Sequence, residues 1–175
     1  MAMSGNDRNE AAINSSSLSA MHVADAESVV ALISRAMNES EGRWARKTIR
    51  YHFNCHDHGI DDGRRYFVHR ESRRIVGIVG LHHYPWGPPT NVWLAWFAVE
   101  PEMQGKGRGT ALLAHAESRA RAQGYSRMLI ETYEHPDFQR ARAFYERRGY
   151  ARVGGIEGYL PDGSAMVVYG KRLEG

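Results

Sequence analysis

The chain has a single cysteine, Cys55, so no disulfide can form within it, and that usage fits a reducing compartment. No run approaches the roughly 18 apolar residues of a membrane-crossing helix. No basic segment followed by an apolar one opens the chain, so a secretory signal is not read there. A cytoplasmic protein without a membrane partner is expected. Neither sign of charge dominates: 23 Lys and Arg stand against 20 Asp and Glu, a net charge of +3. That surplus suits an anionic small ligand and is too weak to argue for nucleic acid. No internal repeat is present.

What is there is ordinary globular composition, 42% hydrophobic and 25% charged over 175 residues. This is enough for one domain with a real core, whereas two domains would each be small. The opening "MAMSGNDRNEAAINSSSLS" is polar and rich in Ser and Asn. It reads as a disordered lead-in over residues 1–20, with the folded domain over 21–175.

Hydrophobic spacing then places the elements. Asp25 is positioned to cap a helix carrying Val29, Leu32, Ile33 and Ala36 on one face. A short second helix is expected around Trp44 to Tyr51. "RYFVHR" and "RIVGIVGLHHY" flank a polar turn at Glu71-Ser72-Arg73 and read as a β-hairpin. After a Pro/Gly loop, "NVWLAWFAV" is a strongly apolar strand, so an antiparallel meander follows. A helix through Leu112, Leu113, Ala116 and Ala120 ends before Gly124, "RMLIET" is another strand, and a helix through Ala141, Phe144 and Tyr145 stops at Gly149. "YARVGGI" and "AMVVYGKRL" close the chain as a hairpin. The result is one α/β domain with a mixed sheet.

The segment Gln104-Gly105-Lys106-Gly107-Arg108-Gly109-Thr110 lies where a strand hands over to a helix. Unpaired amides and a partial positive charge at a helix N-terminus attract anions, and glycine lets a backbone approach them. The order of residues is not that of a Walker A loop, which needs Lys followed by Ser or Thr after its last glycine. The glycine spacing is not that of a dinucleotide fingerprint. A tight turn whose glycines serve geometry alone is the competing reading.

Gln104-x-x-Gly107-x-Gly109 resembles the Gln/Arg-x-x-Gly-x-Gly/Ala signature of the GNAT superfamily of N-acetyltransferases, and "ARAFYERRGY" (residues 141–150) is similar to a second segment of that family. The resemblance spans about residues 24–173 in the family's order of elements. It implies a mixed, mostly antiparallel central sheet flanked by helices, with the fourth and fifth strands splayed apart. It also implies acetyl-CoA as cosubstrate and no metal. By the same resemblance, the amides of Gly105, Lys106, Gly107, Arg108, Gly109 and Thr110, beside Gln104, would hold the pyrophosphate. The edge of Phe97, Ala98 and Val99 would meet the pantetheine arm, with an amide near Ala98 or Val99 stabilising the oxyanion formed when an amine attacks the thioester.

Tyr145 matches the family tyrosine proposed as general acid, against the alternative of a core aromatic. Glu131 occupies the place of a glutamate that acts as base in some members, against the alternative of a solvated strand end; His82 and His83 compete with it. Phe138 stands where many relatives carry an asparagine that contacts the cofactor arm, so Gln139 is a substitute candidate. His52, Cys55, His56 and His58 lie close together in what reads as a polar loop, but their spacing matches no structural zinc pattern.

Trp44, Tyr84 and Trp86 are candidates for lining an acceptor pocket, or for core. The acceptor is left open among small amines and peptide or protein amines, and many relatives are dimers. A non-catalytic acyl-CoA-binding regulatory module is the alternative function. Arg119, Arg121, Arg140, Arg142, Arg147 and Arg148 read as solvated helix faces rather than a nucleic-acid site.

Overall fold

The computed structural model describes residues 17–174. Its strands are β1 (Leu18–Ala20), β2 (Arg64–Glu71), β3 (Arg74–His82), β4 (Asn91–Val99), β5 (Arg127–Tyr133), β6 (Ala151–Ile156) and β7 (Met166–Arg172). The helices are α1 (Ala26–Ala36), α2 (Glu39–Asp57), α3 (Arg108–Ala122) and α4 (Gln139–Arg147). They build one seven-stranded sheet in the order β1-β2-β3-β4-β5-β7-β6. Only the β4–β5 pair is parallel; every other neighbouring pair is antiparallel.

Helices cover both faces. On one face Val29, Leu32 and Ile33 of α1 and Ala45 and Ile49 of α2 pack with Tyr66, Val68, Ile78 and Ala98. On the other, Leu112, Leu113, Ala116 and Ala120 of α3 and Tyr145 of α4 pack with Phe67, Val79, Leu94, Ile130 and Val167. Strand β3 is buried from Ile75 to Leu81, which explains its nearly unbroken apolar run; a strand covered on one face alone would alternate. Each of these fully buried aliphatic side chains is worth about 1.5–3 kcal/mol relative to exposure.

The β2–β3 turn is tight, with Ser72 and Arg73 both at positive φ. Gly124 and Gly149 stand at φ 85° and 82° just past the ends of α3 and α4, as expected from sequence.

Three local expectations change. The carboxylate of Asp25 accepts from the backbone N–H of His22 at 2.8 Å and from Arg70 at 2.6 Å, and makes no side-chain cap on α1. Helix α2 is 19 residues long, started by Asn38, whose side chain accepts from the Glu41 amide at 2.9 Å. It therefore takes in His52, Cys55 and His56, which lie on a helix and not in a loop. Finally, Leu18–Ala20 pair with β2 and so belong to the sheet, although they fall inside the expected lead-in; the rest of that stretch, residues 1–16, lies outside the described residues. No described helix is long and apolar enough to cross a membrane.

Candidate active site

The site begins where β4 and β5 part. Their parallel register runs from Asn91↔Arg127 to Leu94↔Ile130 and stops there. Beyond it β4 continues against β3 as far as Val99, and β5 continues against β7 as far as Tyr133. A bulge coincides with the parting. Val79 pairs with Phe97 but Leu81 with Leu94, so Ala95 and Trp96 stand opposite Gly80 alone. An extra residue on one strand bends it and increases its twist. Here the bend lifts β4 from β5 and leaves two facing edges without strand partners. The Trp96 indole N–H donates to the Thr48 hydroxyl at 2.7 Å, which ties the bulge to α2.

A cavity of about 740 Å³ fills this wedge. At one end it reaches the glycine turn and the N-terminus of α3. Gly105 and Gly107 sit at φ 74° and 78°, and an added Cβ at either would meet no atom within 4 Å. Their requirement is therefore conformational and not one of space. Gln104 donates from Nε2 to the Val99 carbonyl at 3.0 Å and fastens the turn to the end of β4. Gln104, Gly105, Lys106, Gly107, Gly109 and Thr110 line the cavity, as do Phe97, Ala98 and Val99.

Two candidates from sequence are not among the lining residues, although the Arg108 amide stays in the turn at the α3 N-terminus. The Arg108 side chain turns away, its guanidinium donating to both carboxylate oxygens of Glu71 at 2.7 and 3.0 Å. Gln139 is exposed at the start of α4 and is not among the lining residues. Phe138, in contrast, is buried and lines the cavity with its ring 5.2 Å from that of Tyr133. Cations that had read as solvated helix face reach the site: Arg147 and Arg148 line it, and Arg148 donates to the Thr110 hydroxyl.

Tyr145 lies in the wall of the wedge, buried among Phe97, Phe144, Tyr150 and Tyr169. Its hydroxyl forms no hydrogen bond with a described residue, and burial pushes the phenol pKa above its ordinary value of 10.

Glu41 of α2 and Glu131 of β5 line the cavity, as does a third carboxylate, Asp137. Burial raises the Glu41 pKa, and the negative charge of Glu131 raises it further. Glu131 accepts from the Tyr133 hydroxyl at 3.0 Å. Burial, then the charge of Glu131, pushes the Tyr133 phenol well up, so that hydroxyl remains a donor. His82 also lines the cavity, with a pKa pushed down to about 4 by burial and then by the charge of Arg64. It is neutral at physiological pH. His83 lies outside the cavity, its Nδ1 bonded with the Asn91 carbonyl at 3.1 Å.

The three aromatic candidates do not line the wedge: Trp44 and Trp86 are exposed, and Tyr84 stacks on Trp86 at 5.8 Å. Nor do the α2 histidines. His52 pairs with Asp62 at 2.8 Å and His58 with the Asn54 carbonyl at 2.8 Å. Among the described residues no group of three or more His, Cys, Asp or Glu is placed to hold a metal ion. Glu41, Arg147 and Arg148 line the cavity without being marked by the sequence motifs; Asn38, three residues before Glu41, marks a helix start with a glutamate in its first turn but not which way that glutamate faces.

Residues 28–150 match the model of the acetyltransferase (GNAT) family. The chain belongs to that family. Among curated relatives, a blasticidin-S acetyltransferase of Streptomyces morookaense is 38% identical over 86 residues, which cover 49% of this chain and 57% of the relative. The matched region thus spans little more than half of that protein.

A GNAT-family acetyltransferase structure from Desulfovibrio desulfuricans superposes with a TM-score of 0.79 at 21% identity, covering 90% of this chain and 98% of the other. An aminoglycoside 6'-N-acetyltransferase complexed with coenzyme A superposes at 0.71 with 15% identity, covering 90% and 97%. At such identities the structures share the fold, including its mixed sheet.

Proposed function

We propose that this chain transfers the acetyl group of acetyl-CoA to a primary amine of a small cationic acceptor, by direct attack with both substrates bound. The observation that carries this reading is the continuity of the cavity, from the amides at the α3 N-terminus through the β4–β5 wedge to Glu41 and Glu131. An anionic end, an extended arm and a cationic amine match these three parts in order.

Gly105 to Thr110 would hold the pyrophosphate by backbone amides, with Lys106, Arg147 and Arg148 adding charge. The free edge of Phe97 to Val99 would bond the pantetheine arm and present an amide to the thioester oxygen. Tyr145 keeps a proton on its phenol oxygen for the departing thiolate, since burial favours the neutral form. Glu131 receives the acceptor cation, directly or through water, and takes the proton the amine must lose before it attacks.

Glu41 explains the preference for a cation. Burial first, and the charge of Glu131 second, raise the Glu41 pKa, and a cation bound between the two carboxylates would favour their charged forms. Blasticidin S, the acceptor named for the curated relative, is therefore the first compound to try, followed by aminoglycosides and polyamines. A purely acyl-CoA-binding module would have no use for a tyrosine acid and paired carboxylates in the same wedge.

The experiment is a mass-spectrometric acceptor screen with acetyl-CoA. Acetylation restricted to cationic amines supports the reading; acetylation of neutral or anionic amines alone removes the role of Glu41 and Glu131.

A further inference from the structure

We infer that the hydroxyl of Thr132 is a binding group for the pantetheine arm, supplying from β5 a polar contact that Phe138 cannot offer. This rests on the acetyl-CoA reading above. Among the described residues, three buried side-chain polar atoms lack a hydrogen-bond partner: His69 Nδ1, His115 Nε2 and Thr132 Oγ1. Of the three residues, Thr132 alone lines the wedge.

Its place follows from the topology. Thr132 lies two residues beyond Ile130, the last β5 residue in register with β4, and its backbone pairs on the far side with Val167 of β7. Strand alternation puts its side chain on the same face as Ile130, toward α4 and Tyr145 rather than toward Glu131. Ile130, Phe138 and Tyr145, which line the same cavity, offer no backbone-independent acceptor there apart from the Tyr145 phenol, which forms no hydrogen bond to it.

Thr132 is only 4% exposed, and its hydroxyl finds no hydrogen-bond partner among the described residues. A buried hydroxyl without a partner destabilises the folded state, and valine has the same shape without that penalty. Threonine at this position is accounted for if a ligand completes the bond. The pantetheine arm carries two amide groups along its length. The free edge of β4 meets one side of such an arm, and Thr132 faces the other. A hydroxyl both donates and accepts, so either an amide N–H or a carbonyl satisfies it.

The test is calorimetric titration of wild type, Thr132→Val, Thr132→Ala and Thr132→Ser with two ligands, together with thermal unfolding of each ligand-free protein. Coenzyme A carries the arm; adenosine 3',5'-bisphosphate lacks it. The expected result is coenzyme A affinity weakened about five- to tenfold in the Val and Ala variants, the loss of one neutral hydrogen bond, and restored in Ser. Affinity for the bisphosphate stays within about twofold, and Thr132→Val unfolds at the same or a higher temperature than wild type.

Unchanged coenzyme A affinity in Val and Ala overturns the inference. So does equal weakening of both ligands with a lower unfolding temperature, the mark of a structural role. A wild type that binds neither ligand defeats the acetyl-CoA reading itself, and the inference with it.

Discussion

Arg108 and Glu71 form a two-pronged ion pair, at 2.7 and 3.0 Å, that joins the first turn of α3 to the end of β2. The sequence resemblance assigns the Arg108 amide to the anion, and the side chain is free to turn elsewhere. The pair instead uses its charge to orient the helix whose amides face the cavity, and it holds the Glu71 carboxyl below its usual range.

Arg108→Ala should therefore act on stability before binding. The expected loss is about 1 kcal/mol, since both partners are partly exposed. Coenzyme A affinity should change less than about threefold, whereas Gly107→Val should weaken it at least tenfold by straining the left-handed turn. Thermal unfolding and calorimetry on the two variants check this. Equal losses of affinity would return Arg108 to the anion site.

Tyr145→Phe should lower kcat about a hundredfold or more and leave coenzyme A affinity unchanged. Because burial raises the phenol pKa above 10, kcat should show no loss from its ionisation below that pH. A pH profile of kcat falling between pH 8 and 9 in wild type, and absent in Tyr145→Phe, would contradict a phenol held neutral.

Much of the fold was legible because its elements are locally consistent. The α3 stripe of Leu112, Leu113 and Ala116, the β3 run and the two helix-ending glycines each follow from periodicity and turn chemistry. The length of α2 was not, because its middle is dominated by Arg, Lys, His and Asn, and its burial rests on Gly42, Ala45, Ile49 and Cys55 alone. The turn glycines and Tyr145 were legible through two motifs. Glu41, Arg147 and Arg148 were not, since nothing in a charged residue's local sequence tells whether its helix faces a cavity or solvent. The β4 bulge left no local mark either; it is a property of two strands in register.

Glu131→Gln and Glu41→Gln should separate base from binding. The first should reduce kcat and acceptor affinity together. The second should raise KM for a cationic acceptor about three- to tenfold with a smaller effect on kcat. Steady-state kinetics at saturating acetyl-CoA checks both. A neutral effect of Glu41→Gln on KM would leave Glu131 as the sole acceptor carboxylate.

Glu100 predicts an acid limb of stability. It is 1% exposed just after β4, and Arg35 of α1 and Arg74 of β3 both pair with it. Hydrogen bonding to Arg35, opposed by burial, holds its carboxyl below the ordinary 4.5. A depressed folded-state pKa adds stability above the unfolded value and loses it as pH falls through the folded value. Wild type should thus lose stability below about pH 4.5, and Glu100→Gln should be about 1–3 kcal/mol less stable at pH 7 with a shallower acid loss. Denaturant unfolding at several pH values measures both.

Direct transfer within the wedge is tested most directly by the initial rate of thiol release from acetyl-CoA over a matrix of acetyl-CoA and blasticidin S concentrations. The prediction is acceptor-dependent thiol release with intersecting double-reciprocal lines, as a complex of both substrates requires. Tight coenzyme A binding without acceptor-dependent thiol release, for blasticidin S and for every other amine in the screen, would contradict it.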